Sequence, residues 1–185
     1  DVLDHSAPEP LFGGKLGIDA TRRIEGERPR VRPTGVVSPV EPSRIEKALR
    51  EVSPNLRSFC VPELRARNPL LLLNLEKDGK TTGKAVGQRI LEHKGLESFA
   101  LFVLLDAAVD LRDSSLTLWK LFNNVDPLRD LVRRDRRVVL DATRKGPEDG
   151  HHRPWPDDIV MDPKVAARVR ERARELNIEP FLKKE

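Results

Sequence analysis

Apolar residues form several short, dense runs along this chain, and these runs predict the strands of a sheet. The longest run, SFALFVLLD at 98–106, and the run RVVLDAT at 137–143 are typical of strands buried on both faces. NLRSFCVP at 55–62 and NPLLLLNLE at 68–76 predict two more strands. KLGIDAT at 15–21 predicts another, ahead of a charged stretch that contains four prolines.

Helical spacing of apolar residues separates these strands. The first predicted helix covers 42–52, with Ser43 as its N-cap. The residues expected on its buried face are Ile45, Ala48, Leu49 and Val52. The second lies within 81–95, with Gly95 as its stop signal. Its expected buried residues are Val86, Ile90 and Leu91.

Two more helices follow the longest apolar run. One lies within 112–127, with Asp113 as its cap. Its expected inward residues are Leu118, Leu121, Phe122 and Val125. The last covers 162–178, with Asp162 as its cap and Pro163 in its first turn. Its expected inward residues are Val165, Val169, Ala173 and Leu176. Alternating strands and helices predict an α/β fold with a mostly parallel sheet flanked by helices.

Charge changes this picture little. Charged residues make up 35% of the 185 residues, and 34 basic side chains stand against 30 acidic ones. The basic clusters at 133–137 and 168–174 are interrupted by acids, whereas a nucleic-acid-binding surface concentrates its basic residues. We therefore expect a generally solvated surface and no nucleic-acid partner.

Cysteine content and hydropathy indicate which cellular compartment the sequence favours. A single cysteine, Cys60, excludes an intrachain disulfide, and its apolar surroundings favour a small buried side chain over a nucleophile. No apolar run approaches the ~20 residues of a membrane span. The first residues also lack the pattern of a signal peptide, so we expect a cytoplasmic protein.

Two motifs contain residue types that bind phosphate or metal ions in other proteins, but their spacing argues against such a site. DGKTTGKAVG at 78–87 resembles a phosphate-binding loop, yet Gly79 and Gly83 are too close and Ala85 replaces the magnesium-binding hydroxyl. A helix-opening turn explains this segment. His151 and His152 are adjacent, so their rings point apart on extended backbone. We therefore expect no metal site in this chain.

The tetrapeptide motif Asp-Ala-Thr-Arg occurs twice, at 19–22 and at 141–144. Each copy follows an apolar run and precedes a charged turn that contains glycine. This shared context predicts equivalent strand ends in two related folding units. Under this interpretation, residues 1–35 are the tail of a preceding unit with its linker, and 36–185 form an α/β C-terminal domain.

The second half of the chain resembles the closing segment of the UbiD-type decarboxylases, over about 98–178. The matching elements include Trp119, Asp-Pro-Leu-Arg-Asp at 126–130, Asp-Ala-Thr-Arg-Lys at 141–145 and Trp155-Pro156. LDHSAPEPLFGGKLGIDAT at the start is similar to part of the same segment. The resemblance therefore points to the C-terminal region of such an enzyme, with a duplicated terminal segment.

Membership of that family implies a reversible, non-oxidative decarboxylation of aromatic or α,β-unsaturated acids, including precursors of quinones such as 4-hydroxybenzoate-type acids. The cofactor is prenylated FMN, whose phosphate is held by a divalent metal (Mn) and K. In the family these groups are bound by an upstream flavin-binding domain. We accordingly expect no catalytic residue and no bound cofactor in this fragment, and a role as cap or oligomerisation module in a homo-oligomer.

The second Asp-Ala-Thr-Arg motif also supplies candidate contact residues, because α/β sheets bind ligands at the carboxyl ends of their strands. The candidates for binding a ligand or an adjoining domain are Asp141, Thr143, Arg144, Lys145 and Glu148. A different interpretation is that Asp141 and Thr143 only hydrogen-bond the turn that follows the strand. A second function also stays open, that of a non-enzymatic α/β interaction or anion-binding module that shares ancestry with the family.

Overall fold

The computed structural model describes residues 40–62, 70–158 and 160–182. The predicted strand at 15–21 and the predicted boundary between residues 35 and 36 lie outside these ranges, and both stay predictions. Compactness divides the chain into two units, 1–155 and 156–185. Within the described part of the chain, no helix has both the length and the apolarity needed to cross a membrane.

Five strands form one mixed sheet in the first unit. They are β1 (Leu56–Cys60), β2 (Leu70–Leu75), β3 (Leu101–Asp106), β4 (Leu131–Arg134) and β5 (Arg137–Asp141). Their order across the sheet is β1-β2-β3-β5-β4. The three central strands are parallel, and both edge strands pair antiparallel to their neighbours. The predicted α/β class is confirmed, although the sheet is mixed.

Helices cover both faces of this sheet. They are α1 (Pro42–Val52), α2 (Gly83–Glu92) and α3 (Ser114–Asn124), with a 3₁₀ turn at Lys94–Leu96. One face of the sheet packs with α1 and α2 in a core that contains Leu71, Leu73 and Phe102. The opposite face packs with α3 in a second core that contains Leu72, Val103 and Leu105. Successive residues of β2 thus enter opposite cores, as expected for a strand buried on both faces.

The first two helices follow the sequence pattern closely. All four predicted residues of α1 and all three of α2 are buried. The predicted caps are less accurate. Ser43 is not the N-cap of α1, because Glu41 occupies that place and Pro42 begins the helix. Helix α2 ends at Glu92, before Gly95, because His93 is extended and the chain turns into the 3₁₀ segment.

Helix α3 has a different buried face from the one predicted. Asp113 is its N-cap, as expected, and accepts a hydrogen bond from Leu116 N at 3.0 Å. Leu121 and Val125 are buried, but Leu118 is 50% exposed. The other buried residues of the helix are polar, namely Thr117, Lys120 and Asn124. The prediction for Leu118 is wrong because these polar residues, and not the most apolar stripe, fix the rotation of the helix.

The hairpin that joins β4 to β5 was not predicted. Its first strand, LVRR, is charged and only four residues long. Asp135, in the turn, has φ 54°, a left-handed conformation that aspartate tolerates better than most residues. Arg137 then begins β5 and donates hydrogen bonds to Leu91 O at 2.8 Å and Leu96 O at 2.9 Å. This arginine therefore satisfies carbonyl groups at the carboxyl end of α2.

The second unit contains α4 (Pro163–Glu171) and a 3₁₀ turn at Glu179–Phe181. Asp162 caps α4 as predicted and accepts from Lys164 N at 2.7 Å. The predicted inward face is wrong at two positions, because Val165 and Leu176 are exposed. The helix itself ends at Glu171, before Ala173 and Leu176, although Ala173 is buried as predicted.

Candidate functional site: the carboxyl edge of the parallel strands

Three neighbouring parallel strands carry polar side chains at or next to their carboxyl ends. Asn74 lies near the end of β2, Asp106 ends β3 and Asp141 ends β5. Parallel pairing brings these ends to one edge of the sheet, the edge at which α/β proteins bind ligands. We call this edge, together with the segment 141–150 that follows β5, the carboxyl edge.

Asp141 is buried and bound to the turn that follows it. Its Oδ1 accepts from Thr143 Oγ1 at 2.6 Å and from Thr143 N at 3.1 Å. The predicted hydrogen bonding of this turn is confirmed. The carboxylate also lies at the N-terminus of α2, where a Cβ added to Gly83 would be 2.0 Å from Asp141 Oδ2. The positive end of the helix dipole stabilises a negative charge at this place.

Lys145 has a side chain that is 0% exposed. Its Nζ donates to Asp141 O at 2.8 Å and to Thr143 O at 2.5 Å. The ammonium also lies 3.3 Å from Asp141 Oδ2 and 3.9 Å from Asp130 Oδ1. Burial lowers the pKa of Lys145, and the two carboxylates oppose that shift. The lysine therefore acts as a buried cation that closes the turn.

Asp130 connects this turn to the chain that leaves α3. Its carboxylate accepts from Arg129 Nε at 2.7 Å and from Asp126 N at 2.8 Å, while its carbonyl accepts from Asp141 N at 2.9 Å. The hydrogen bond that Arg129 donates to Asp130 is the main reason that the pKa of Arg129 is raised. Both oxygens of this buried carboxylate thus bind groups of the chain itself.

Asp106, at the end of the central strand β3, binds the segment that follows β5. Its two carboxylate oxygens accept from Arg144 N at 3.0 and 3.2 Å. Burial raises the pKa of Asp106, and the Arg144 hydrogen bond and the positive charges of Lys120 and Lys145 oppose this. Asp106 is half-buried, as is Arg144. Among the carboxylates of the carboxyl edge, it is the one at the end of the central strand.

Asn74 and Lys77 complete the contacts from β2. Asn74 Nδ2 donates to Asp106 O at 2.8 Å and to Val109 O at 3.1 Å, which fixes the loop after β3. Lys77 Nζ donates to Arg144 O at 2.8 Å and binds the Asp149 carboxylate. Lys77 and Asp149 therefore hold the segment 144–149 against the end of β2.

Of the candidate contact residues from the sequence, Asp141, Thr143 and Lys145 are buried in this network. Arg144 contributes its backbone N–H to Asp106 and its carbonyl to Lys77. Glu148 is nearby, with Oε1 at 3.9 Å from Lys77 Nζ and a side chain 14% exposed. The structure thus brings all five together around the end of β5.

Comparison with known proteins places this arrangement in a family. Residues 36–152 match the family model of the 3-octaprenyl-4-hydroxybenzoate carboxy-lyase C-terminal domain, and this match covers most of the chain. The chain belongs to the UbiD C-terminal domain family.

Related sequences are much longer than this chain. A protein of Helicobacter pylori (strain ATCC 700392 / 26695) is 28% identical over 172 residues, which cover 93% of this chain and 26% of that protein. A protein of Aquifex aeolicus (strain VF5) is 33% identical over 93 residues, which cover 42% of this chain and 19% of the relative. This UbiD C-terminal domain therefore spans about a quarter or less of the length of these relatives.

Solved structures of UbiD-class enzymes share the fold. An evolved dimeric form of HmfF from Pelotomaculum thermopropionicum, in complex with prFMN, aligns with a TM-score of 0.53 and 13% identity, over 67% of this chain and 27% of that one. Vanillic acid decarboxylase of Sedimentibacter hydroxybenzoicus, in open form, aligns with a TM-score of 0.51 and 17% identity, over 72% and 32%.

The described residues of this UbiD C-terminal domain show no arrangement that fits a metal centre. In the ranges 40–62, 70–158 and 160–182, no group of three or more His, Cys, Asp or Glu side chains is arranged to hold a metal ion. The His151 ring packs edge-on against Trp155, with centroids 5.1 Å apart. Burial, followed by the charges of Arg129 and Arg153, lowers the pKa of His151. This packing gives the ring a structural role in its loop.

Sequence reasoning missed five participants in the carboxyl edge, namely Asn74, Lys77, Asp106, Asp130 and Asp149. A usable signal was present for two of them, because Asn74 and Asp106 interrupt or end apolar runs that predict neighbouring parallel strands. Asp130 ends the Asp-Pro-Leu-Arg-Asp motif, but nothing in its spacing links it to β5, and the other two lie in charged stretches without a hydrophobic pattern. Asp19, in the first copy of the repeated Asp-Ala-Thr-Arg motif, lies outside the described residues, so the duplication stays a prediction.

Proposed function

We propose that this chain is the C-terminal domain of a UbiD-like carboxy-lyase that acts on aromatic or α,β-unsaturated acids, among them acids of the 4-hydroxybenzoate type that are precursors of quinones. In this proposal the domain is not itself catalytic. It serves as a cap over the active site or as an oligomerisation module of a cytoplasmic homo-oligomeric enzyme, and its partner within the same chain is an upstream flavin-binding domain.

One observation carries the non-catalytic role. The carboxylates of Asp106, Asp130 and Asp141 all accept hydrogen bonds from backbone N–H groups of this chain. These hydrogen bonds commit each carboxylate to a contact within the chain, whereas a general acid or base must lie within hydrogen-bond reach of the substrate proton. The network instead locks the loop after β5 onto β2 and β3, which is what a rigid scaffold requires.

The cofactor belongs elsewhere in this proposal. When bound there, prenylated FMN would accept the electron pair left on the substrate as CO₂ departs, and a divalent metal (Mn) and K would hold its phosphate. The carboxylates of the carboxyl edge do not fit such ions, because their oxygens already bind N–H groups and Lys145. We therefore assign the flavin and its ions to the upstream domain and derive no chemical step from this one.

The proposal is tested on the full-length protein, reconstituted with prenylated FMN. Release of CO₂ is measured with a panel of aromatic and α,β-unsaturated acids, for the intact protein and for a form that lacks residues 36–185. Flavin absorbance and molecular mass are recorded for both. Gln88→Arg, a charge added at an exposed position of α2, serves as the control variant.

We expect the deleted form to keep its flavin and to lose turnover. An unchanged number of subunits with lost turnover supports a cap, whereas dissociation supports an oligomerisation module. Full turnover with an unchanged number of subunits after deletion contradicts both roles. Loss of the flavin from the deleted form contradicts the assignment of the cofactor to the upstream domain.

A further inference from the structure

Helix α3 buries an unusual set of side chains for a surface helix. Three of its four buried residues are polar, whereas Leu118 is 50% and Trp119 41% exposed. Phe122, one turn after Leu118, is half-buried. We call Leu118, Trp119 and Phe122 the α3 patch. A helix of this kind usually turns its apolar stripe towards a core.

The polar inner face explains why the apolar residues point outward. Asn124 Nδ2 donates to Ala142 O at 2.8 Å, which ties the end of α3 to the turn after β5. Lys120 is buried and its charge acts on Asp106. Its Nζ also lies 5.1 Å from the centroid of the Trp119 ring, a favourable cation–π geometry. These contacts fix the rotation of the helix and hold the Trp119 ring at the surface.

The outer face of α3 also carries no charge. Lys120 is the one charged residue in SSLTLWKLFNN, and it is buried. Charged residues make up 35% of the whole chain, so an uncharged exposed helix face is unusual here. Depletion of charge together with exposed aromatic residues is the composition found at the centre of interfaces.

We propose that the α3 patch is the surface by which this domain docks onto the preceding part of its own polypeptide, against an uncharged, apolar surface there. The inference rests on the proposed function only in taking the chain to be one domain of a longer protein. It goes further by naming the residues of contact and the kind of surface that covers them.

The size of the patch favours a tethered partner over a second copy. Three partly exposed side chains offer on the order of a few hundred Å² of apolar area. A stable interface between separate chains needs about 800 Å² from each partner. A covalently attached domain needs less, because its effective concentration reaches the millimolar range. The matched residues are only 26% of the Helicobacter pylori relative, so a protein of that length has ample chain to supply the partner surface.

The test is covalent footprinting of the full-length protein with a photoactivated carbene, read by mass spectrometry of the peptide that contains 114–125. The unmodified protein is compared with Leu118→Arg, Leu118→Ala and the control Gln88→Arg, each at two protein concentrations. We expect labelling to be at least about fivefold lower in the unmodified protein than in Leu118→Arg, as for loss of one central interface residue. Leu118→Ala should fall between them, and Gln88→Arg should match the unmodified protein.

Two results would overturn the inference. Equal labelling of the unmodified protein and of both Leu118 variants, with circular dichroism unchanged, would mean that the α3 patch is uncovered. Protection that appears only at the higher concentration, with a doubled mass, would mean that a second copy covers it. Footprinting needs neither flavin nor turnover. Decarboxylation with an uncovered patch therefore rejects this inference alone, and protection without decarboxylation rejects the proposed function alone.

Discussion

Helices α1 and α3 are each 11 residues long and pack against opposite faces of the same sheet, but they bury opposite kinds of side chain. Helix α1 buries Ile45, Ala48, Leu49 and Val52 and exposes charged residues. Helix α3 buries Thr117, Lys120 and Asn124 along with Leu121, and exposes Leu118 and Trp119.

The difference shows which contacts fix each helix. The buried residues of helix α1 are all apolar, so its hydrophobic pattern predicts its orientation. Helix α3 lies beside the carboxyl edge, where buried polar groups of the sheet need partners. An unsatisfied buried carbonyl costs about 1–3 kcal/mol, comparable to the burial of a leucine, and an unsatisfied carboxylate costs more. Polar contacts such as that of Asn124 with Ala142 O can therefore outweigh the apolar pattern.

Removing the buried cation of the carboxyl edge should give the largest effect. Lys145→Met leaves Asp130 and Asp141 buried without their shared ammonium. We expect the free energy of unfolding to fall by about 3 kcal/mol or more, measured by urea denaturation. Lys47→Met, at an exposed site of α1, should change it by no more than about 0.5 kcal/mol. Equal effects at the two sites would mean that the carboxyl edge is no more dependent on its charges than α1.

One substitution made in both helices sharpens the contrast directly. Leu49→Ala in α1 removes a buried side chain and should lower the free energy of unfolding by about 3 kcal/mol. Leu118→Ala in α3 should change it by less than about 1 kcal/mol in this chain, because half of that side chain is already exposed. A comparable loss for both, in thermal or urea unfolding, would show that Leu118 belongs to the core.

Because Asp141 lies against the start of α2, a substitution at Gly83 should destabilise the fold where it would otherwise stabilise a helix. Gly83→Ala would stabilise an ordinary helix by up to about 1 kcal/mol. Here its Cβ would overlap the carboxylate of Asp141, which Thr143 and Lys145 hold in place. We expect a loss of about 2 kcal/mol instead. At Gly79, φ is +74° and no atom lies within 4 Å of an added Cβ. Gly79→Ala should therefore lower the free energy of unfolding by about 1 kcal/mol from backbone strain alone.

The smallest expected effect is a change in pH dependence. Burial raises the pKa of Asp106 above 3.8, so the folded chain binds more protons than the unfolded chain between the two pKa values. The contribution of Asp106 to stability therefore falls as pH rises through that interval. Asp106→Asn abolishes this titration. Urea denaturation from about pH 4 to about pH 6 should show a less negative slope of stability with pH for Asp106→Asn. An identical slope in both proteins would contradict the buried, charge-penalised setting of Asp106.

The sequence predicted most of the fold because most of it depends on apolar burial. The four described predicted strands, the buried faces of α1 and α2, and the caps Asp113 and Asp162 are confirmed. Strand β4 was missed because four charged or edge residues have no hydrophobic pattern, and its turn depends on the left-handed Asp135. The orientation of α3 was missed because it is fixed by groups distant in sequence.

The candidate site was predicted only where its contacts are local. The hydrogen bonds between Asp141 and Thr143 span two residues, and short polar side chains after a strand are typical of such a turn. The contacts of Asp106 with Arg144 and of Lys77 with Arg144 O span 38 and 67 residues. No spacing rule links such pairs, because the parallel pairing of β2, β3 and β5 alone brings them together.

Under the proposed function, the polar residues of the carboxyl edge hold the fold and take no part in the reaction. This role is tested by kcat of the full-length, flavin-loaded protein carrying Asp106→Asn, at a temperature where it is fully folded. We expect a kcat within about twofold of the unmodified enzyme, since the Asp106 carboxylate accepts hydrogen bonds from Arg144 N of the same domain. A fall of about 100-fold or more, the size expected for loss of a general acid or base, would contradict it.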